Sequence, residues 1–386
     1  MVETLSPRPR LRLLLEHLSA IEDDRASWRV MYPLREVLFL VVCASVCSCD
    51  DYEEIVDWGE ARLDFLRRYL DFHWGIPCVD WLRTLMNRVD PELFSACFTA
   101  WVVECWPEKP DLLALDGKTS RRSHDRRGGQ PPLHLVSAFA TNARMVLGQE
   151  ACADKGGELE AIEALLDRLA AAGSLQGALV TIDAVACNPK IAAKIVGHGG
   201  DYLLAVKANQ PGLRQDVERF FADAPAETLD SYHDLDKGHG RIEDRRVYIS
   251  RDINWLTGDR RFPGEHRFPK ITALAKVETR TELADRCRTE TRYFIISRSM
   301  TAKDVAGAIR GHWRIENSLH WVLDVTFRED LSRLRKGHGA KNMAVVRHFA
   351  LNLVRQVDDR RSIKLRRKRA DRNLDYLSTI LNASAC

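Results

Sequence analysis

The first part of the chain shows the apolar spacing of α-helices. An apolar run follows Pro33; it is too short to cross a bilayer and fits a buried helix. Asp90 has the position of an N-cap, and Pro91 follows it at the first helical position. Two prolines among charged residues at 106–110 then break the pattern. We therefore expect a helical amino-terminal domain over residues 1–105, which is a candidate DNA-binding domain.

Short apolar runs of strand length begin after this break. The run DLLALD ends at Asp116, and two further runs at 133–141 and 145–151 predict a hairpin. Helical spacing at 158–172 precedes the strand-like run ALVTID, and another helix and strand follow. Because strands and helices alternate, residues 106–212 predict the first part of a layered α/β core.

The remaining residues divide into three segments. Residues 213–298 hold strand-like pieces among polar loops with Gly and Pro, and we interpret them as a β-rich insertion. Residues 299–357 predict two helices, the first capped by Thr301 with Asp304 at its third position. The last segment, 358–386, is a basic tail.

Positive charge is concentrated at the carboxyl terminus. The net charge of the 386 residues is only +3. Residues 331–386 contain 14 Lys and Arg against 4 Asp and Glu, a net of +10, which leaves −7 for the rest. This asymmetry points to a polyanionic partner such as nucleic acid, and a solvated tail without a partner is the alternative.

The ten cysteines follow no repeated spacing, in a chain that is neither short nor led by a signal peptide. Disulfide frameworks belong mostly to short secreted chains, so we expect reduced and mostly buried thiols. We predict a cytoplasmic, nucleoid-associated protein without a membrane partner.

Two predicted strands end in aspartate, Asp116 in LALDGK and Asp183 in VTIDAVACN. Acids at the carboxyl ends of adjacent strands project into the crevice where α/β sheets bind ligands. Such carboxylates repel each other unless they share a cation, and hard oxygen ligands select Mg²⁺ or Mn²⁺. Two ions about 3.5–4 Å apart can hold both oxygens of a phosphoryl transfer. Taken alone, an aspartate after a strand is more often a turn former or a helix cap.

Glu316 is the third candidate acid. Its long predicted helix places it on one face with Trp313 and other apolar residues, where a carboxylate needs a partner. A metal ion is one such partner, and a salt bridge with Arg314 is the alternative. His312 and His320 lie on the same helix, but their spacing is not that of the HExxH zinc motif, so zinc is not favoured.

Four ordered segments are similar to those of a known family: LALDGKTSRRS, VTIDAVACNPKIAAKIVGHGGDYLLAVKANQPGL, KGHGR and HWRIENSLHWVLDVTFRED. Together with YPLREVLFLVVCASVCSCDDYEEI and GIPCVDWL before them, they resemble DDE-type insertion-sequence transposases of the group containing the H-repeat-associated proteins. The resemblance covers nearly the whole chain. It implies a ribonuclease-H-like core, interrupted by a β-rich insertion before the last catalytic helix and preceded by a helical domain.

The resemblance also assigns the acids. By motif position Asp116 is the first catalytic aspartate, Asp183 the second and Glu316 the glutamate, at successive spacings of 67 and 133 positions. They would hold two Mg²⁺ or Mn²⁺ ions. The implied activity is that of a transposase that binds terminal inverted repeats, cleaves DNA and joins the 3′ end to target DNA. We expect a homodimer on double-stranded DNA. A host nuclease of the same core and an inactive DNA-binding relic are the alternatives.

One signature departs from the family pattern. Related cut-and-paste transposases carry Tyr, Arg, Glu and Lys around the catalytic glutamate. Matching on Glu316 puts Ile309, His312 and Leu323 at the other three positions. The acids of the FRED segment are rivals, but Glu316 lies in the matching IEN motif.

Ten polar residues are candidates for contact with DNA, and solvated side chains are the alternative. They lie beside the candidate acids, after a predicted core strand, in or just after the HGR motif at 239–241, and in the tail sequence RRSIKLRRKRADR, which we expect to bind backbone phosphates. The set is Lys118, Lys207, Asn209, Arg241, Arg245, Arg314, Arg366, Arg367, Lys368 and Arg369.

Overall fold

The computed structural model describes residues 9–124, 129, 131–152, 156–183, 186–238, 241–257, 267–283 and 285–382. The amino-terminal part is helical, as predicted, and Asp90 caps its last helix by accepting from the backbone N–H groups of Glu92 and Leu93. Its helices are α1 (Arg10–Ser19), α2 (Leu34–Val46), α3 (Tyr52–Ala61), α4 (Leu63–Leu66), α5 (Val79–Arg88) and α6 (Pro91–Cys105).

Strands and helices alternate in the next part, which confirms the α/β prediction. The expected hairpin forms between two antiparallel strands, and the helix that precedes Gly173 ends there with that glycine at φ +75°. The elements are β1 (Leu112–Thr119), β2 (His134–Ala140), β3 (Met145–Ala151), α7 (Glu158–Ala171), β4 (Leu179–Ile182), α8 (Pro189–Gly197) and β5 (Asp201–Val206).

The second half begins with β-structure and ends in helices. The predicted cap is present, because Thr301 and Asp304 form a reciprocal capping box at the start of one helix. The elements are α9 (Pro211–Asp223), β6 (Asp230–Gly238), β7 (Arg241–Ser250), α10 (Asn254–Thr257), β8 (Ala273–Glu282), β9 (Cys287–Ile296), α11 (Ala302–His312), a π-helical turn (Glu316–His320), α12 (Trp321–Val325), α13 (Gly339–Arg355), α14 (Ile363–Arg372) and α15 (Leu374–Asn382).

The described strands form one nine-stranded sheet in the order β3-β2-β1-β4-β5-β9-β8-β7-β6. β1 runs antiparallel to β2 and parallel to β4, which is itself parallel to β5. β9 pairs antiparallel with β5, so the β-rich segment at 213–298 continues the core sheet. The sequence did not predict β6, whose residues are half-buried or exposed throughout and so lack an apolar run.

One hydrophobic cluster reaches from Leu11 to Leu381 and joins the amino-terminal helices to the sheet. α13 lies at its centre: 14 of its 17 residues are buried, and it contacts α2, α5, α6 and β3. Asn352 bonds both backbone groups of Val146 in β3, and Asn342 donates to two carbonyls at the end of α5. A helix buried on all sides needs cover on all sides, so the amino-terminal helices α1 to α6 share their core with the sheet.

Cysteines in the described part are free thiols, and six of these nine are buried, as expected. No helix in that part combines the length and the apolar character that a membrane crossing requires.

The basic tail is folded, which corrects part of the DNA-contact prediction. Arg366 is 8% exposed and donates to Asp359 and to the carbonyl of Val354. Arg367 is 1% exposed; it donates to the Ser45 carbonyl and lies 2.8 Å from an Asp50 carboxylate oxygen. Its guanidinium also lies 3.9 Å from the Phe327 ring centroid. These two arginines hold α14 on the core, and their guanidinium groups are not available to phosphates. Lys368 is exposed and Arg369 is half-buried over the Tyr376 ring.

The substitution Arg367→Met is expected to lower the free energy of unfolding by about 3–5 kcal/mol, because it leaves Asp50 and the Ser45 carbonyl without their partner. Urea denaturation followed by circular dichroism measures this. Lys368→Met, on the same helix but exposed, is the matched control and should change stability by less than about 0.5 kcal/mol. Parental stability combined with weaker DNA binding in Arg367→Met would contradict the structural role.

Candidate active site

Asp116 and Asp183 lie side by side on neighbouring strands. β1 and β4 run parallel with Leu115 opposite Ile182, so the next residue of each chain segment, Asp116 and Asp183, lies at the same level of the sheet. Asp183 directly follows β4, as predicted. Asp116 does not end its strand, because β1 continues to Thr119 by pairing with β2.

Glu316 lies in a π-helical turn, and the prediction of one long α-helix with an apolar face is wrong. α11 ends at His312, so the α-helical period used to place the face does not continue into the turn. Trp313 is 53% exposed and the Glu316 side chain 56% exposed, while Ile315 and Leu319 are buried. π-helical turns are rare and occur often at functional sites.

A glycine lets this helix approach the sheet. A Cβ atom at Gly311 would lie 2.3 Å from Cδ2 of Leu112 in β1, a distance that no side chain tolerates without displacement. α11 therefore lies directly against the strand that carries Asp116, and the turn that follows begins with Glu316.

His320 connects Glu316 with Asp116. Its Nδ1 lies 3.1 Å from Oε2 of Glu316 and 3.5 Å from Oδ2 of Asp116, and its side chain is 5% exposed. One ligand atom from each of the three residues lies within 4.8 Å of the others. The arrangement has the size of a site for one cation.

The three acids act on one another electrostatically. The pKa of Asp116 is raised to about 6, mainly by burial. The charges of Asp183 and Glu316 act in the same direction, while His320 and the Gly117 N–H oppose the shift. Carboxylates that repel one another at a partly buried place favour a shared cation, and oxygen donors fit Mg²⁺ or Mn²⁺. The residues present therefore fit a hard divalent ion.

Asp183 faces the same groove but has a different neighbour. Its Oδ1 lies 3.2 Å from Nζ of Lys207. Asp183 does not belong to the group formed by Asp116, Glu316 and His320. The N-cap of the next described helix, α8, is Asn188 and not Asp183. Nearby, Nδ1 of the half-buried His312 lies 3.1 Å from the Thr181 hydroxyl, and desolvation lowers the pKa of His312 to about 4.

A groove of about 720 Å³ lies in front of the acids, between α11 with its following turn and the sheet from β4 to β6. All three candidate acids line it. Four residues predicted to contact DNA line it too: Lys207, Arg241, Arg245 and Arg314. Arg241 and Arg245 both pair with Glu243 inside the groove. His239 and Gly240 of the HGR motif lie outside the described residues.

Asn209 is placed differently from the prediction. Its Nδ2 donates to the carbonyl of Cys187 at 3.4 Å, and Gln210 donates to the same carbonyl at 3.1 Å. These amides join the segment after β5 to the segment before α8, and Asn209 does not line the groove.

Lys118 belongs to a cluster of ion pairs and not to the groove, which corrects its prediction. Its Nζ lies 2.7 Å from Asp324, 3.1 Å from Glu329 and 3.7 Å from Asp330, and its side chain is 11% exposed. Burial alone would lower the pKa of Lys118, but Glu329 and Asp324 outweigh it and raise the pKa. Glu329 is also paired with Arg347 at 3.4 Å. The rival acids of the FRED segment are thus occupied elsewhere.

Two residues at the groove were not among the sequence-derived candidates, Arg292 and Arg310, and Arg310 pairs with Asp234, which links α11 to β6. Arg292 lies in β9 and Arg310 in α11, and their place at the groove depends on strand pairing and helix packing, which no local pattern shows. His320 was considered only as a zinc ligand. The Glu316–His320 spacing of four residues was the available signal for His320.

Family models match the two parts of the chain separately. The model described as "Transposase DDE domain" matches residues 107–353, and the model described as "DDE_Tnp_1-associated" matches residues 15–102. The chain belongs to the DDE transposase domain family. The matched segments meet at the break near residues 106–110 that the sequence pattern indicates.

Curated relatives confirm the group. The H repeat-associated transposase homologue YhhI of Escherichia coli (strain K12) is 37% identical over 388 residues, which cover 97% of this chain and 99% of YhhI. YbfD of the same strain, also H repeat-associated, is 36% identical over 63% of this chain and 95% of its own. "Inactive transposase YbfQ" is 38% identical over 20% of this chain and 93% of its own. Among solved structures, a piggyBac transposase synaptic complex with hairpin DNA is 13% identical with a TM-score of 0.43, covering 96% of this chain and 76% of that one.

Replacing Lys118 by Met should lower the free energy of unfolding by about 3–5 kcal/mol, because the buried Glu329 loses one of its two cations. DNA affinity of the folded fraction should not change, since the ammonium group is held by three carboxylates. Denaturant titration and a filter-binding assay test these two outcomes. Lys190→Met, an exposed lysine on α8, serves as the control. Weaker DNA binding at unchanged stability would restore Lys118 to the DNA contacts.

Proposed function

We propose that this protein is a DNA transposase that binds the terminal inverted repeats of its own element, cleaves the DNA and joins the freed 3′ end to target DNA. The observation that carries the proposal is the meeting of Asp116 and Glu316 at His320, with Asp183 beside them at one groove. We also propose that β1 to β5 form a ribonuclease-H-like core. Membership in the DDE transposase domain family supports both statements.

We assign Asp116, Asp183 and Glu316 as the residues that hold two Mg²⁺ or Mn²⁺ ions, with Asp116 shared between both. When bound, such ions activate the attacking oxygen and stabilise the charge that develops on the scissile phosphate. The chain itself fixes the first carboxylate, because the N–H of Gly117 donates to Oδ1 of Asp116 at 2.9 Å. A preoriented carboxylate lowers the cost of assembling the site.

The groove supplies the surface for the DNA backbone. Lys207, Arg241, Arg245 and Arg314 provide cations for phosphates, with Arg292 and Arg310 as additions from the structure. The paired acids Asp234 and Glu243 hold three of these side chains at the groove before DNA arrives. We propose that two copies act together on DNA, one at each end of the element.

Two alternatives make different products. A nuclease of the same core would cleave but not join, and a relic would bind DNA without cleaving it. The relative named "Inactive transposase YbfQ", which matches only a fifth of this chain, is the reason to consider a relic. The intact set of three acids argues against a relic. Incubation with duplex ends and a supercoiled target separates the three, because only the transposase yields joined molecules.

Each of the substitutions Asp116→Asn, Asp183→Asn and Glu316→Gln should abolish Mg²⁺- or Mn²⁺-dependent cleavage of a duplex carrying the inverted repeats that flank the gene. The shape of the side chain is kept while a charged ligand is lost. DNA affinity should persist, since it depends mainly on cations that contact phosphates. Asp330→Asn, which removes a rival acid, should still cleave. Full cleavage by any of the first three variants would remove that residue from the catalytic set.

Arg314→Gln tests the groove as the DNA-binding surface. If Arg314 contacts one phosphate, the slope of log K against log salt should become shallower by about 0.9. The loss should be similar for specific and unrelated duplexes, because phosphate contacts carry no sequence information. Arg12→Gln, an exposed arginine on α1, is the control. Identical salt slopes for Arg314→Gln and the parent protein would refute the assignment.

A further inference from the structure

We propose that Nδ1 of His320 is a direct ligand of the divalent ion held by Asp116 and Glu316, and that this nitrogen makes the site favour Mn²⁺ over Mg²⁺. The inference rests on the proposed function for the presence of the ion. It adds a nitrogen ligand to a set that the sequence and the family resemblance describe as three carboxylates only.

The distances around His320 are those of a shared coordination sphere. An ion with six ligands at about 2.1 Å has neighbouring ligand atoms about 3 Å apart. Nδ1 of His320 lies 3.1 Å from Oε2 of Glu316 and 3.5 Å from Oδ2 of Asp116. The imidazole nitrogen and both carboxylate oxygens can therefore face one ion with small movements.

The environment of the ring directs Nδ1 alone to the acids. His320 is 4% exposed, and its Nε2 is buried without a hydrogen-bond partner among the described residues. His320 is the last residue of the π-helical turn, and the neighbouring Leu319 is also buried. Its only polar partners in the described structure are thus the two carboxylates that we assign to the ion.

A role limited to positioning predicts something different. In that case Nδ1 would hold Glu316 by a hydrogen bond at 3.1 Å and would not touch the ion. Direct coordination changes the donor set from all oxygen to mixed nitrogen and oxygen. Imidazole nitrogen suits Mn²⁺ and later transition metals better than Mg²⁺, whose sites are built from oxygen. The two roles therefore differ in metal preference and in the nuclei that surround the metal.

Pulsed electron paramagnetic resonance on the full chain loaded with Mn²⁺ alone tests the proposal. A directly bound imidazole gives an electron spin echo modulation from ¹⁴N. That modulation should be present in the parent protein and absent in His320→Asn, which offers an amide oxygen near the position of Nδ1. His198→Asn, at the end of α8 and paired with Asp167, should keep it. Parent protein grown with ¹⁵N-labelled histidine should show the ¹⁵N pattern instead, which tests the ligand without any substitution.

Metal titrations give the second measurement. The ratio of Mn²⁺ to Mg²⁺ affinity should fall by roughly tenfold or more in His320→Asn. Mn²⁺ binding that depends on Asp116, yet shows no histidine nitrogen in either the mutant comparison or the labelled protein, would overturn the proposal and leave the transposase assignment standing. If no Mn²⁺ binding of the parent protein is lost in Asp116→Asn, both the His320 proposal and the transposase assignment are overturned. Cleavage by the parent protein, measured separately, distinguishes these cases.

Discussion

The parallel pairing of β1 with β4 is the constraint on which the site depends. Its register sets Leu115 opposite Ile182 and therefore brings Asp116 and Asp183 to the same level of the sheet. Two carboxylates at that place repel, and burial makes the repulsion stronger. The pKa of Asp116 is raised first by its burial and, to a smaller extent, by the charge of Asp183. A sheet that maintains this pairing keeps two like charges together, and a bound cation is the simplest way to offset them. The rest of the structure supports the pairing: α7 and α8 lie against each other beside β2, β3 and β5, and α13 covers β3.

Glu316 reaches the same place from a helical segment and not from a strand. Gly311 allows α11 to lie against β1, and the π-helical turn then carries Glu316 and His320 toward Asp116. The same helix is tied to the outer part of the sheet, because Arg310 pairs with Asp234 in β6. Strands β6 to β9 therefore form a wall of the groove. They also hold α11, the helix that precedes the turn with Glu316. Loss of strands β6 to β9 would therefore affect the position of Glu316 as well as the groove.

The sequence predicted the parts of this arrangement that depend on local pattern. Strands that are buried on both faces are continuous apolar runs, and Asp183 was correctly placed directly after one of them. Asp116 was placed correctly in β1, but its strand continues to Thr119, because strand ends depend on the neighbouring strand. β6 was missed because its residues are half-buried or exposed and form no apolar run. The apolar face predicted around Glu316 was wrong at Trp313 and Glu316, which are exposed, because the α-helix is interrupted after His312 and a π-helical turn begins at Glu316. No residue type marks such an interruption.

Charged side chains were the least predictable part, for a reason that the structure makes plain. Arg245 and Arg367 both lie in basic stretches of the sequence. Arg245 lines the groove, whereas Arg367 in α14 is only 1% exposed. Burial of a guanidinium is costly unless acceptors surround it, and the acceptors of Arg367 lie far away in the chain: Ser45 and Asp50 are more than 300 positions earlier and Thr326 is 41 positions earlier. A sequence window cannot contain them. The same holds for Lys118, two residues from Asp116 but directed to carboxylates around 324–330. Charge density thus indicates an anionic partner for the chain, whereas the choice of which cations face it is made by long-range packing.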